Sequence, residues 1–181
     1  MTNGLVVMTP SSIAYSGTSA SINADGSVVF SACTSLSLNG VFTGDYDNYM
    51  VTIGPINNSS ADELRFRYRA SGSDNSTANS YVVQRINASS TTVNADRNTA
   101  DYGQLPTIYA TQRSGLTFYL FGPYLAQPTA CRSVFVGDAA SAYLRDHAGT
   151  HNQSTSYDGI SFFMASSTNF SGLVTVFGFN Q

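Results

Sequence analysis

The sequence predicts an all-β protein, an antiparallel sandwich or barrel with an extended N-terminal stretch. Three observations lead there. Short runs of alternating apolar and polar residues recur along the 181 residues, separated by Gly, Pro, Asn and Asp. Ser, Thr and Asn make up about a third of the chain, and such residues favour strands, turns and side-chain-to-backbone bonds over helices. Tyr and Phe contribute 11 residues each, an aromatic enrichment that suits a pleated, half-buried surface.

The strand-like runs are 27–31, 34–42, 48–53, 63–70, 80–86, 115–121, 130–136, 139–145, 160–165 and 173–179. Thr34-Ser35-Leu36-Ser37-Leu38 alternates cleanly, and 173–179 places Leu173, Thr175, Phe177 and Phe179 on one face. Leu116-Thr117-Phe118-Tyr119-Leu120-Phe121 is apolar on both faces apart from one threonine, the pattern of a central strand or a subunit contact. No segment carries a convincing helical stripe; Ala139-Ala140-Ser141-Ala142-Tyr143-Leu144 reads as a short helix or as strand. The polar segments 72–79 and 87–104 read as long loops, where binding variation on a β scaffold resides.

The strand at 64–70 is the most informative. Leu64, Phe66, Tyr68 and Ala70 alternate with Arg65, Arg67 and Arg69, so one face enters a core and the other carries a row of guanidinium groups. The row holds three of the eight arginines in a chain without lysine. Forked donors in register suit an ordered partner, a neighbouring subunit or an anionic ligand. The alternative is a solvated face with intramolecular partners such as Asp62 or Glu63, where exposed pairs contribute about 0–1 kcal/mol.

Composition bounds the function. At 181 residues and 42% apolar content the chain fits one domain with a sizeable core. Only 10% of residues are charged and the net charge is −3, which argues against nucleic-acid binding through a basic field. No apolar run reaches the roughly 18 residues of a membrane span, so no membrane insertion is expected. The start, Met1 to Pro10, lacks a basic n-region and a long apolar h-region and is not read as a secretory signal. Cys33 and Cys131 read as two buried free thiols or as a long-range disulfide.

Chemistry-bearing motifs are sparse. His147-Ala148-Gly149-Thr150-His151 puts two imidazoles four apart, a metal-binding spacing on a helix, but Gly149 and the polar residues after His151 read as loop. Gly44-Asp45-Tyr46-Asp47-Asn48 clusters oxygen ligands, yet a calcium loop needs six to eight, and this one reads as an Asx-type turn feeding a strand. No Gly-x-Ser-x-Gly elbow or phosphate-cradling glycine loop is present, and the single glutamate, Glu63, offers no carboxylate pair. No catalytic residue, metal or cofactor is therefore assigned.

Residues 1–25 are uncharged until Asp25, with apolar content at Leu5-Val6-Val7-Met8 and Ile13-Ala14-Tyr15. They read either as an arm that pairs with a neighbouring subunit by strand addition or as the first strand of the domain at 26–181. Leu5, Val6 and Val7 are accordingly candidate interface residues, as are Arg65, Arg67 and Arg69. Asp74, Asn75, Asp96 and Tyr102, in the two polar segments, are candidates for stacking on and hydrogen-bonding a sugar.

Several motifs together carry a resemblance. Ser35-Leu36-Ser37-Leu38-Asn39-Gly40-Val41-Phe42 followed by Asp45-Tyr46-Asp47-Asn48-Tyr49-Met50-Val51, then the 64–70 strand with Gly72, Asp74 and Tyr81 beyond it, Tyr157-Asp158-Gly159-Ile160 and the closing 172–179 segment resemble short virion proteins of tailed bacteriophages, especially marine and cyanobacterial ones. The resemblance spans about residues 11–181 and marks turns and core strands. It implies a jelly-roll-like β-sandwich, often a homotrimer, on the particle exterior, as a tail-fibre or tail-appendage module or as a head decoration protein. The partners it implies are further copies of the chain, other virion proteins and, for a fibre tip, a host surface glycan; the expected location is the virion, assembled in the bacterial cytoplasm.

Overall fold

The computed structural model describes residues 4–110, 114–137 and 143–180. Its strands are β1 (Val6–Val7), β2 (Ser12–Ile22), β3 (Val28–Asn39), β4 (Asn48–Asn58), β5 (Asp62–Ala70), β6 (Ser73–Asp74), β7 (Tyr81–Ser89), β8 (Thr92–Ala100), β9 (Gly103–Ile108), β10 (Ser114–Phe121), β11 (Thr129–Gly137), β12 (Tyr143–His151), β13 (Gly159–Met164) and β14 (Phe170–Phe179). The named strands pair antiparallel throughout, and no helix occurs among the described residues.

The strands form one sheet in the order β6-β5-β13-β3-β14-β4-β10-β11-β12-β7-β8, which curls until its two halves face each other as a jelly-roll-like sandwich. The curl is built into β3. This strand carries β2 from Ser12 to Ile22, so its other edge is shared: Val28 to Cys33 pair with β14, and Ser35 to Leu38 pair with β13. The change of partner falls at a bend, where Ala32 adopts a left-handed φ of 47°. Gly17 of β2 crosses this bend at a φ of +149°, and a Cβ there would lie 2.4 Å from the Ala32 carbonyl oxygen. The two runs predicted at 27–31 and 34–42 are thus one bent strand.

The two halves meet on an aromatic core. Rows cross the first half as Leu64–Met164, Phe66–Phe162–Leu36 and Tyr68–Ile160–Leu38, and all these side chains are buried. Phe66 meets the other half directly, with ring centroids 4.8 Å from Phe118 and 5.9 Å from Tyr81. β9 pairs with β5 and places Gly103 opposite Phe66; a Cβ at Gly103 would fall 2.0 Å from the Phe66 ring. Only a bare backbone lets β9 close over that ring. Pro106 is tolerated because β9 pairs on one edge only.

The structure corrects the two loops predicted at 87–104 and 147–151. Residues 92–100 form β8, paired with β7 along their length, and 103–108 form β9. β8 is an edge strand, nearly all exposed, so no apolar alternation announces it. The stretch from His147 to His151 is the second half of β12. Of the run predicted at 139–145, residues 139–142 lie outside the described residues. Residues 12–22, within the predicted arm or first strand, pair with β3 of the same chain, and Val6–Val7 pair with Gly178 and Phe177 on β14.

Gly103→Ala is expected to destabilise the protein by about 1–3 kcal/mol through overpacking against Phe66. Gly115→Ala, where no atom lies within 4 Å of the added Cβ, is expected to change stability by no more than about 0.5 kcal/mol. Paired urea titrations of the two variants check this.

Candidate assembly face and polar cavity

The register makes the second half of the sheet unusual. Two of its inner rows begin apolar and end polar: Val176–Val51–Phe118 continues as Ser133–His147–Arg85–Asp96, and Phe135 is followed by Arg145 and Asn87. The outer face is the reverse. Val136, Leu144, Ala88 and Val93 form one cross-strand row, and Val134, Asp146, Ile86 and Ala95 form the next. Val93, Val136, Ile86 and Leu144 are 68%, 60%, 51% and 50% exposed. The face continues through Tyr119 and Phe121 on β10, where Tyr119, Phe121, Arg132, Val134 and Phe179 line a shallow apolar groove. Its central charges neutralise each other: Arg132 Nε donates to Asp146 Oδ1 at 3.0 Å, which holds the Asp146 carboxyl below its usual range.

At about 4.8 Å between strands and about 3.4 Å per residue, the face spanned by β4, β10, β11, β12, β7 and β8 measures on the order of 700 Å2. A standard protein interface buries about 800 Å2 per partner.

On the inner side, β9 covers the polar ends of these rows and leaves a cavity of about 150 Å3. Glu63, Arg85, Asp96, Gln104, Arg145 and His147 line it, with Asn87 beside them. The carboxylates are already paired: Glu63 with Arg65 and Arg85, and Asp96 with Arg85. His147 Nδ1 lies 3.3 Å from the Gln104 carbonyl oxygen, which can only accept, so Nδ1 carries the proton and Nε2 presents a bare lone pair. His147 Nε2, Gln104 Oε1 and Arg145 Nε are buried without a hydrogen-bond partner. Burial pushes the His147 pKa down to about 4, so the ring is neutral at pH 7.

The arginine row is committed within the chain. Arg65 Nε donates to Glu63 at 2.7 Å, and its guanidinium lies 3.9 Å above the Tyr102 ring. Arg67 donates from Nε to the Asp101 carbonyl oxygen, pairs with the Asp101 carboxylate and lies over Phe163. Together they staple the Asp101-Tyr102 corner, where the chain crosses from β8 to β9. Arg69 is buried and fully used: Nε donates to Asn39, and Nη1 donates to Ser37, Ser161 and Asp74, while Nη2 donates to the Gly72 carbonyl. Its carboxylate partner, Asp74, is exposed, so Arg69 is buried at its stem and reaches the surface at its head. No neighbouring subunit is needed to satisfy any of the three.

Asp74 and Asn75 are likewise engaged internally. Asp74 accepts from Ser161 Oγ at 2.7 Å as well as from Arg69. Asn75 donates to Tyr157 Oη at 2.9 Å, and its carbonyl accepts from Tyr81 Oη at 2.9 Å. They anchor the 72–79 loop. Asp96 lines the cavity, while Tyr102 lies beneath Arg65. Leu5 and Val7 are exposed, and Val6 is half-buried, on the β14 edge.

His147 and His151 share the inner face of β12, but four residues of strand separate them by about 13 Å, too far for one metal ion. His151 instead meets Tyr157 Oη at 2.6 Å in the buried tyrosine cluster with Tyr68 and Tyr81. The 44–48 segment is a turn held by Tyr49, whose hydroxyl donates to the Thr43 carbonyl at 2.7 Å. Among the described residues, no group of three or more His, Cys, Asp or Glu is placed to hold a metal. Both cysteines are free thiols. No family model matches the chain, and no curated protein matches it.

Burial holds both histidines neutral, with pKa values pushed down to about 4. Between about pH 6.5 and pH 4 the unfolded chain binds protons that the folded chain refuses, so stability is full above that window and falls as pH drops through it. Each histidine contributes up to about 3 kcal/mol at about 1.4 kcal/mol per pH unit. Denaturant titrations from pH 7 to pH 4.5 are expected to show this loss, and His151→Phe is expected to flatten the profile by roughly half.

Proposed function

We propose that this chain is a non-enzymatic structural subunit on the exterior of a tailed-bacteriophage particle, a tail fibre or tail appendage module, that associates with further copies of itself through the apolar outer face of β4, β10, β11, β12, β7 and β8. The observation that carries the reading is the inverted polarity of that half-sheet. A monomer in water has no use for Val136, Leu144, Ile86 and Val93 on its outside. A second copy suits the face because its area approaches that of a standard interface and its central charges, Arg132 and Asp146, are already paired; Arg97, on the same face, lies exposed on the edge strand β8, where it can stay in water at the rim.

The phage setting and the trimeric state rest on the resemblance in the β3, β4, β5 and β14 segments. The absence of a nucleophile elbow and of a carboxylate pair in the sequence favours a structural role over a catalytic one. A head decoration role would use the same face and differ in copy number: hundreds per particle instead of a few to some tens. Recognition of a host glycan is a second reading, favoured by the unpartnered polar atoms of the cavity.

Native mass spectrometry of the wild-type chain is expected to show a homotrimer. The Val136→Glu/Leu144→Glu variant is expected to be monomeric yet folded, with the amide dispersion of the wild type, since both positions are exposed in the protomer; its melting temperature loses only the part that association supplies. A monomeric wild type, or a variant that assembles as well as the wild type, would overturn the proposal.

A further inference from the structure

The cavity beneath β9 has a chemistry of its own. Gln104 and His147 are 94–96% buried, as their residual exposures of 6% and 4% show, and both line it. Each keeps a polar atom that no group of the chain satisfies, in a protein interior where such atoms normally find partners. A desolvated, unpaired acceptor costs about 1–3 kcal/mol, so Gln104 Oε1 and His147 Nε2 call for a donor from outside the chain. Arg145 Nε, buried and unpartnered beside them, calls for an acceptor.

The geometry points to a binding site for one small neutral hydroxylated ligand, a single monosaccharide unit presented edge-on. Hydroxyl groups both donate and accept, which matches two open acceptors and one open donor. An anion would meet the Glu63 and Asp96 carboxylates, and a cation would meet Arg85 and Arg145. Size sets the limit: about 150 Å3 holds several waters but falls below the roughly 300 Å3 at which pockets for larger ligands begin. The site is therefore suited to the terminal unit of a glycan and not to an internal stretch of chain. Asn87 and Asp96 at its margin supply further donors and acceptors. The assembly face lies on the opposite side of the same strands, so self-association and ligand binding do not compete.

The test is a titration of the full-length protein with glucose, galactose, mannose, N-acetylglucosamine, sodium acetate and sodium phosphate, followed by amide NMR shifts. The expected result is saturable shifts of Gly103, Gln104, Arg145 and His147 with at least one sugar. Gln104→Leu and the half-exposed Asn87→Ala should each weaken binding about tenfold or more while amide dispersion is retained. Three results would overturn the inference: no sugar shifts these amides, the mark of a cavity that holds water alone; acetate or phosphate shifts them more strongly than any sugar; or both variants bind as the wild type does. Each is read on the protomer and stands apart from the oligomeric state.

Discussion

The contact of Phe66 with Phe118 and Tyr81 is the interaction on which the rest of the molecule depends. A single sheet has no reason to fold back on itself unless its two ends share an apolar surface. Here β5, from one end, buries Leu64, Phe66 and Tyr68 against β10 and β7 from the other. Several features follow from that closure. Gly103 must be bare so that β9 can lie across the ring. Tyr81, fixed beside Phe66, reaches Asn75 and the backbone N–H of Tyr68 with its hydroxyl and ties down the 72–79 loop. With one face of β5 inside, the alternation puts Arg65, Arg67 and Arg69 on the other, where the first two fasten the β8–β9 corner and Arg69 fastens the turn after β5.

The same closure explains the inverted half-sheet. Beyond β10 the inner face keeps Phe135, Val83 and Tyr81 in the core, but beneath β9 its residues become Ser133, His147, Arg85, Arg145 and Asn87. These cannot pack as a dry core, and β9 encloses them only partly. The apolar side chains of β11, β12, β7 and β8 then lie on the outside. One half of the sheet has an ordinary polarity, and the end of the other beneath β9 has polar residues inside and apolar ones outside. Such an end gains stability when its outer face is covered and when its inner polar groups find partners. Assembly meets the first demand, and a small hydroxylated ligand meets the second.

Much of the fold was legible in the sequence. The alternation at 34–38 and 64–70 marked strands whose apolar residues pack in the core, whereas at 173–179 the strand was legible but its buried face is Val174, Val176 and Gly178 and not that of Leu173, Thr175, Phe177 and Phe179. The double-sided apolar character of 116–121 followed from a strand with core on one side and the exposed apolar face on the other. What sequence reasoning missed has physical causes. β8 is an edge strand with both faces largely in water, so neither periodicity nor hydrophobicity announces it. The inward positions of β12, Arg145, His147, Gly149 and His151, are polar or small, so a true strand reads as loop. The signal was present in the strict alternation of Leu144, Asp146, Ala148 and Thr150 with those residues, but it identifies a strand only once a polar interior is admitted. The partners of the arginine row were half legible: of Asp62 and Glu63, both expected near the row, Glu63 pairs with Arg65 while Asp62 accepts from Ser166 and Thr168, and Asp101 and Asp74 come from segments that no local pattern brings near β5.

The account stands or falls on whether the outer face is covered. The most direct measurement is methyl NMR with a soluble paramagnetic probe on the protein at assembly concentrations, reading Val136 and Leu144 against two internal references, buried Leu36 and exposed Leu5. The account predicts that the Val136 and Leu144 methyls are as shielded as those of Leu36 while Leu5 is strongly relaxed. Relaxation of Val136 and Leu144 at the level of Leu5 would mean that the face stays in water, and the central claim would be wrong.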